Sequence, residues 1–542
     1  RFVRRNRTGV AAASAIALSL IGGAIASLVN LERARREARR AEASLATLWD
    51  SFDGAFVRGA DARVVDLVRS GVDLVERRTD LDPETRAQIL VVLANALSRC
   101  GDFERQRSTA AKTAALLEEL VGRGDARTCR ARVLEAEAAF ELGDARAAHA
   151  AFDDALPRYR RHLAERAPDA QARYSAFGHL AWLCGEAQVA AEFLDDALGS
   201  GLIAAGSYEA IHGAIWRAWA LVSLDRFPEA RAIAEDLART SIPLEGAAAE
   251  LGIRILELRA RVAQQRGDSK EALELERKAR DLWIDRDGEK GIAAVRADAA
   301  IARLLLPMDP PAATVEARRA AAVARERLPR AAPTRLAAES ILGECLAKTG
   351  EADEGIALIR EVLAVGEESE TADVLAAISA RTALADALLQ AKRPGEAEQE
   401  IRRALAAAAP VYRANDRRLA PMTLVLAQTL QQQSRSAEAD PAFVEAARRF
   451  RESYPETPWR AARVEVYHSR ALRDLARYDE AERELLAALP VLTEAFGPTG
   501  VRTCEALEGL ANLYATWGKP ELEEKHRALL REAKSVKSRP TK

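Results

Sequence analysis

The chain has 542 residues, a formal net charge of -2 and 30% charged residues. This balance gives no sign of a nucleic-acid partner, which would favour a strongly basic chain. Aromatic residues make up 5% of the sequence and no run alternates in the manner of a β-strand, so the composition favours an all-α protein. The five cysteines have neither a CxxC motif nor a disulfide spacing, and we expect them to be buried, small apolar side chains.

The opening of the chain is a candidate membrane segment. Residues 1–7 are basic, and the uncharged stretch from Thr8 to Leu31 is long enough to cross the roughly 30 Å hydrocarbon core of a bilayer as a helix. A signal peptide is the alternative, but its apolar segment would be shorter and would start the protein, and Arg1 is not an initiator Met. We therefore predict a fragment with a basic juxtamembrane segment over 1–7 and a transmembrane helix over 8–31.

A charged linker follows the predicted span. The sequence "LERARREARRAEASLATLW" mixes Glu with Arg at helical spacing and contains no helix breaker, which predicts a continuous helix over 32–58. Basic residues flank the span in nearly equal number on its two sides, so the positive-inside rule leaves the orientation open. We expect a single-pass membrane protein with the rest of the chain on the extracytoplasmic side.

Residues 1–45 resemble part of a known family. The order of "RFVRRNR", an Ala-rich span and "ERARREARRAEA" is similar to the segment after the kinase domain in bacterial transmembrane serine/threonine protein kinases. The resemblance implies a kinase domain before residue 1, with ATP and Mg bound only there, and tetratricopeptide repeats beyond the span. The chain itself has no Walker, GxSxG, HExxH or protein-kinase signature. We therefore expect no catalysis, no cofactor and no metal site within it.

The remainder of the chain repeats, mostly with a period of 42 residues. Apolar-periodic stretches precede and follow a turn position, which we call the mark, and predict a pair of helices in each unit. This pattern assigns 59–84 to a degenerate first unit, 85–535 to about eleven repeats and 536–542 to a basic tail. Two prolines after one mark, Asp309, predict a broken start to the second helix there. The marks are Gly101, Gly143, Gly185, Asp225, Gly267, Asp309, Gly350, Lys392, Ser434, Ala476 and Gly518.

Two positions in the units carry small side chains. The residue seven before the mark is Gly, Ala or Ser in all eleven units, as at Ala94, Gly178 and Ser469. The residue five after the mark is Ala in seven units, as at Ala148 and Ala481. A close helix crossing requires a small side chain at the contact, so this uniformity predicts that the two helices of a unit cross at these positions.

The units resemble tetratricopeptide repeats. The closest copy is "EALEGLANLYATWGKPELEEKHRALL" (Glu505–Leu530), which has a small residue in the first helix and a Gly-containing turn. The 42-residue period is similar to the kinesin-light-chain type rather than to the shorter standard repeat. The resemblance covers 85–535, although the turn Gly is lost in five units. It implies a right-handed superhelical solenoid whose first helices line a concave, peptide-binding groove.

The residues six and thirteen before each mark form this candidate groove. They lie two helical turns apart, hence on one face, and are mostly polar within otherwise apolar helices. Four arginines from two adjacent units are expected to cluster beside His and Trp side chains and to hold an acidic or aromatic peptide segment. The alternative is that these arginines are simply solvated and that Trp216 belongs to the core. The candidate groove residues are Asn95, His179, His212, Trp219, Arg254, Arg261, Arg296, Arg303, Arg470 and Asn512.

These observations predict a membrane-anchored repeat region that binds protein or peptide partners. On the kinase resemblance, it is the sensor or docking part of a bacterial serine/threonine protein kinase in signal transduction, with homodimerisation as one route for a signal. One alternative is a membrane-anchored scaffold for protein assembly with no kinase attached. Another is the repeat region of a transcription regulator, which a transmembrane span disfavours.

Overall fold

The computed structural model describes residues 64–166, 174–224, 226–240, 249–368, 374–410, 412 and 416–537. These residues contain 23 α-helices and no β-strand, and they belong to two compact units divided between Ala138 and Ala139. The helices are α1 (Val64–Arg77), α2 (Pro83–Arg99), α3 (Phe103–Val121), α4 (Ala126–Glu141), α5 (Ala145–Ala164), α6 (Tyr174–Leu183), α7 (Ala187–Gly199), α8 (Tyr208–Ser223), α9 (Phe227–Arg239), α10 (Ala249–Arg266), α11 (Ser269–Asp287), α12 (Ile292–Leu305), α13 (Pro310–Arg327), α14 (Pro333–Lys348), α15 (Ala352–Glu368), α16 (Val374–Gln390), α17 (Pro394–Ala408), α18 (Leu419–Gln432), α19 (Ser436–Ser453), α20 (Trp459–Asp474), α21 (Tyr478–Phe496), α22 (Val501–Trp517) and α23 (Pro520–Lys537).

From α2 onward the helices follow one another along the chain as pairs, α2–α3 through α22–α23, and each mark that the structure describes lies in the turn within a pair. In the C-terminal compact unit, each helix packs against the next along the chain, and first helices of successive pairs also pack against each other, as α12 does with α14 and α20 with α22. In a curved stack of helix pairs, the helices on the inner side lie closer to one another than those on the outer side. The first helices therefore form the inner surface. The fold is an all-α helical-repeat solenoid with tetratricopeptide-like pairs.

The predicted transmembrane element requires a correction. Residues 8–31 and the predicted linker helix over 32–58 lie outside the described residues, and no helix that the structure describes is both long and apolar enough to cross a bilayer. The described helices instead bury one apolar face against neighbouring helices and keep charged side chains on the other. For the residues that the structure describes, the fold class is therefore corrected to a helical-repeat solenoid with no transmembrane helix, and these residues do not support the predicted localisation as a single-pass membrane protein.

Nine of the ten marks that the structure describes adopt a left-handed conformation. Gly518 has a φ of 73° and ends α22 as a left-handed cap. Where the glycine is lost, the conformation is kept: φ is 57° at Lys392, 60° at Ser434 and 59° at Ala476. A side chain disfavours such a φ by about 1–2 kcal/mol. The packing of the two helices therefore imposes this turn even on residues that resist it.

The unit around Asp309 departs from the pattern in its turn rather than in its second helix. Pro310 is the first residue of α13, where its missing N–H leaves no helical hydrogen bond unmade. Asp309 has a φ of -143° and caps the helix, because its side chain accepts a hydrogen bond of 3.1 Å from the backbone N–H of Ala312. The prediction that the prolines break the start of this helix is wrong, since they occupy positions where proline is favourable.

The small side chains lie at the helix crossings, which confirms the prediction from the sequence. All eleven residues that stand seven before a mark are buried, and so are the seven alanines that stand five after one. At Gly178 an added Cβ atom would lie 2.5 Å from Cγ of Leu194. At Gly343 it would lie 2.5 Å from Cγ1 of Ile359. At these two crossings even a methyl group has no room, so the second helix lies directly on the backbone of the first.

The cysteines are mostly buried, in line with the expectation for small apolar side chains. Cys129, Cys184 and Cys345 are buried, whereas Cys100 and Cys504 are half-buried. Burial raises the pKa of Cys184 and of Cys345 to about 12. These two thiols therefore stay protonated near neutral pH and are poor nucleophiles.

A buried histidine connects three helices near the C-terminal end. His468 on α20 is 4% exposed. Its Nδ1 lies 3.0 Å from Oε1 of Glu484 on α21, and its Nε2 lies 2.7 Å from Oδ1 of Asp440 on α19. Burial disfavours the charged ring, but hydrogen bonds and attraction from Glu484 and Asp440 outweigh it and raise the pKa of His468. The protonated imidazole can donate to both carboxylates at once, so it ties the three helices together.

Replacing Ala476 by Gly should stabilise the protein by about 1 kcal/mol, because Gly adopts the φ of 59° without strain. The matched control is Gly518→Ala, where φ is 73° and the added Cβ has no neighbour within 4 Å. That control should lose a similar amount through backbone strain alone. Urea unfolding followed by circular dichroism measures both changes, and a lower midpoint for Ala476→Gly would contradict the strain at this turn.

The contribution of His468 to stability should depend on pH. Its folded-state pKa is raised above the ordinary value of 6.5, so the stabilisation is fully present below that value and is lost as the pH rises through the folded-state pKa. We expect the difference in unfolding free energy between the protein and His468→Gln to shrink over that interval, because Gln keeps hydrogen-bonding groups but does not titrate. A difference that is constant with pH, measured by urea unfolding across the interval, would show that the ring is not charged in the folded state.

Candidate functional site

The residues six before the marks occupy the same position on each first helix, and those of the C-terminal unit form a row along its first helices. None of the eleven is buried, although each follows directly on a buried small residue at a helix crossing. One step along an α-helix rotates the side chain by about 100°, which moves it from the crossing to the accessible face. Most members of the row, including His179, Trp219 and Arg261, are half-buried. The exposed members are Asn95, Arg303, Arg470 and Asn512.

A cavity lies between α20 and α22 on the inner surface of the C-terminal unit, and two row residues line it. Its volume is about 320 Å³. Arg470 and Asn512 stand on its wall together with Arg473 and Glu508. An amide both donates and accepts hydrogen bonds, as a peptide backbone requires, and a guanidinium binds carboxylates through two parallel N–H groups. The remaining lining residues are Ser469, Gly509 and Leu513.

The aromatic residues predicted to lie near the groove form a stacked cluster on α6 and α8. The His179 ring stacks on Trp216 with a centroid distance of 3.8 Å, and Trp182 lies 5.2 Å from Trp216 and 6.1 Å from Trp219. Trp216 is only 4% exposed. The alternative that Trp216 belongs to the core therefore holds, whereas Trp182 and Trp219 remain half-buried at the surface of the cluster.

His212 is fixed by hydrogen bonds on both ring nitrogens. The indole N–H of Trp216 donates to Nε2 of His212 at 2.9 Å, and Nδ1 of His212 lies 2.8 Å from Oγ of Ser175. An acceptor at Nε2 assigns the proton of the neutral ring to Nδ1, which then donates to Ser175. His212 thus joins α8 to α6, and its ring has a structural role that the sequence did not reveal.

Arg254 lies between two tryptophans rather than in open solvent. Its guanidinium carbon is 5.2 Å from the ring centroid of Trp216 and 5.6 Å from that of Trp283, distances typical of cation–π contacts. Its Nε donates to Oε1 of Glu250 at 3.1 Å. The pKa of Arg254 is raised, because attraction from Glu250 and Glu257 outweighs burial, which by itself lowers the pKa.

The other three predicted arginines also have carboxylates near them. Arg296 donates hydrogen bonds to Glu141 and to Thr334. The positive charge of Arg261 attracts the Glu276 carboxyl group and by itself lowers its pKa, and Arg303 has the same effect on the pKa of Glu344. This part of the inner surface is therefore a set of balanced ionic contacts, not the basic patch that the arginines alone suggested.

Sequence reasoning missed the carboxylates of this region. Glu257 accepts a hydrogen bond of 2.8 Å from the indole N–H of Trp283, and Glu276 is only 6% exposed. Burial raises the pKa of Glu257 and raises that of Glu276 further, with repulsion from Glu257 adding to the effect. The sequence contained a signal for the unusual position of Glu276, which stands nine residues after its mark. In eight other pairs that position holds a buried apolar residue: Ala110, Phe152, Leu194, Ala234, Ile359, Ile401, Phe443 and Leu485.

Neither a protein-family model nor a curated protein matches the sequence. Among solved structures, the chain is similar to BtubC (BKLC) from P. vanneervenii, with 18% identity, coverage of 46% of this chain and 93% of that one, and a TM-score of 0.34. It is similar to a putative kinesin light chain with TPR-like repeats from Podosopora anserina, with 19% identity, coverage of 37% and 96%, and a TM-score of 0.30. It is also similar to NprR in complex with its cognate peptide NprX, with 9% identity, coverage of 67% and 98%, and a TM-score of 0.47. Likeness at this level carries no argument about function, and the assignment of the fold rests on the helix pairs themselves.

Replacing Glu276 by Leu should stabilise the protein, because Leu fills the same core position in other pairs and removes a buried carboxyl group. The folded-state pKa of Glu276 is raised, so its carboxyl group destabilises the fold increasingly as the pH rises from the ordinary value of 4.5 through the folded-state pKa. The advantage of Glu276→Leu should grow over that interval. Urea unfolding at a series of pH values tests this, with the exposed Glu274→Leu on the same helix as control. An advantage independent of pH would contradict the raised pKa.

Proposed function

We propose that the inner surface of the C-terminal unit binds an extended peptide segment of a partner protein. The observation that supports this is the row of polar residues six before the marks, which stays accessible beside fully buried crossings. Two of its members, Arg470 and Asn512, come from adjacent pairs and line one cavity. Each first helix contributes one residue to the row, so the row runs across successive helices. An extended peptide bound to the inner surface would follow the same direction.

The cavity between α20 and α22 is the point at which we expect recognition to be most specific. Its volume of about 320 Å³ is at the lower end of the range typical of ligand sites. The Asn512 amide holds the backbone of the peptide, while Arg470 and Arg473 hold a carboxylate. Glu508 accepts a backbone N–H or a second polar group of the same segment. A peptide that carries an acidic residue therefore fits this cavity best.

A kinase connection is a further proposal that rests on the resemblance of residues 1–45 alone, and these residues lie outside the described part of the chain. On that resemblance, the repeats would be the docking part of a serine/threonine protein kinase, and the described residues would act by binding rather than by catalysis. The coding sequence upstream of residue 1 tests this directly. A glycine-rich loop and HRD and DFG motifs there would support a kinase, and any other upstream domain would exclude it.

Replacing Arg470 and Asn512 together by Ala should weaken binding of an acidic peptide about tenfold or more, because each loses a hydrogen bond to a charged or backbone group. Fluorescence anisotropy with labelled hexaglutamate measures this, with hexalysine and hexaserine as comparison peptides. The matched control is Arg483→Ala, an exposed arginine on the second helix α21.

We expect hexaglutamate to bind more tightly than the other two peptides and its affinity to fall with added salt. We also expect Arg483→Ala to bind it as the unchanged protein does. The proposal fails if the double variant and the control bind hexaglutamate equally, or if hexalysine binds best.

A further inference from the structure

The C-terminal unit contains contacts between helix pairs that are not neighbours. In a simple solenoid each pair contacts only the pairs before and after it. Here Gly143, in the turn of α4–α5, lies against Ala331 before α14, and Gly267, in the turn of α10–α11, lies against Thr457 before α20. In both cases the turn within one pair meets the loop before the pair five places further along the chain. This regular offset indicates a built-in feature rather than an isolated contact.

The first set of contacts centres on a buried carboxylate. Glu141, at the end of α4, is 8% exposed. It accepts hydrogen bonds from the guanidinium of Arg296 and, at 3.3 Å, from Oγ1 of Thr334, residues that follow it by 155 and 193 positions. Nε of Arg296 also donates to Oγ1 of Thr334 at 3.2 Å. We call these three residues the Glu141 clasp.

The second set centres on an arginine between two aromatic rings. The guanidinium carbon of Arg417 lies 4.3 Å from the ring centroid of Phe227 and 4.2 Å from that of Tyr454. Arg417 also donates a hydrogen bond to the side-chain oxygen of Gln265, which precedes it by 152 positions. A guanidinium can contact aromatic rings and donate hydrogen bonds at the same time, an arrangement that Arg favours over Lys. We call these four residues the Arg417 clasp.

Close backbone packing accompanies both clasps. A Cβ atom added at Gly143 would lie 2.5 Å from the carbonyl oxygen of Ala331. A Cβ atom added at Gly267 would lie 2.6 Å from Cγ2 of Thr457. The turns therefore touch the distant loops directly, and the contacts do not depend on long side chains alone.

The Glu141 clasp occupies a residue of the candidate groove. Arg296 stands thirteen before its mark, in the set of residues expected to meet a ligand. In the structure its guanidinium is bound to the carboxylate of Glu141. A carboxylate of the protein itself thus takes the position that an acidic ligand would require, which is the chemistry of an autoinhibitory contact.

We propose that the Glu141 and Arg417 clasps hold the C-terminal unit closed, and that an acidic peptide opens it by displacing Glu141 from Arg296. The closing action of the clasps is independent of the proposed function. The displacement by a ligand rests on the proposed function, because it requires that an acidic segment binds to the inner surface.

The closing action is tested on the full chain without ligand, by small-angle X-ray scattering. Arg417→Ala should increase the radius of gyration. Arg418→Ala is the matched control, because Arg418 binds Asp416 and stacks on Tyr412, both nearby in sequence. Its radius should equal that of the unchanged protein. Equal radii for Arg417→Ala and the unchanged protein would overturn the proposal.

A second pair of variants keeps the test decisive if Arg417→Ala fails to fold. Gly267→Ala and Gly350→Ala impose the same type of strain, since φ is +84° and +97°, but only Gly267 faces a distant loop. We expect Gly267→Ala to increase the radius of gyration and Gly350→Ala to leave it unchanged. The same radius for both variants would overturn the role of the clasps.

Displacement by a ligand is tested with hexaglutamate. Glu141→Gln removes the competing charge, so it should bind this peptide about tenfold more tightly than the unchanged protein does. The gain should disappear in Glu141→Gln combined with Arg296→Ala. Equal affinity for the unchanged protein and Glu141→Gln would overturn the autoinhibitory role. Absence of binding to every variant would overturn the proposed function and the displacement, while the scattering result would still decide the closing action.

Discussion

The small side chain at each helix crossing is the constraint on which the rest of the structure depends. Gly178 and Gly343 leave no space even for a Cβ atom, and alanine or serine fills the same position in the other pairs. This contact fixes the rotation of every first helix about its axis, because the small residue seven before the mark must face the second helix of its pair. The next residue along the helix must then face the inner surface, whatever its chemistry. The candidate site is thus a geometric consequence of the crossing, and its residue types are free to vary from pair to pair.

The same constraint explains why the turns tolerate unfavourable residues. The two helices of a pair can meet at the crossing only if the chain reverses within a few residues, and most of the described pairs achieve this with a left-handed conformation at the mark. Lys392, Ser434 and Ala476 adopt it although each has a side chain. The pair around Asp309 solves the same problem differently, with a capping carboxylate and a proline at the first helical position. The crossing is therefore the stronger determinant, and the turn adapts to it.

Sequence reasoning succeeded where the information lies within one repeat. The marks and the small residues recur at fixed offsets, so comparing the units with one another revealed the helix pairs and their crossings. It failed where the contact joins distant parts of the chain. The partners of Arg296 and Arg417 are 155 and 152 positions away, and no periodic pattern links an arginine to a glutamate or glutamine at that separation. The transmembrane prediction rested on residues 8–31, which lie outside the described residues, and no described helix is long and apolar enough to cross a bilayer.

The ionic residues of α10 to α12 place a buried carboxyl group in the core of one helix pair. Glu276 replaces a core hydrophobe, and burial raises its pKa, whereas the corresponding positions in pairs α18–α19 and α20–α21 hold Phe443 and Leu485. Burying the Glu276 carboxyl group therefore has a free-energy cost that Phe443 and Leu485 do not have. Pair α10–α11 also supplies Gln265 and Gly267 to the Arg417 clasp. Pair α10–α11 thus combines the buried carboxyl group of Glu276 with the contacts that the Arg417 clasp makes to distant pairs.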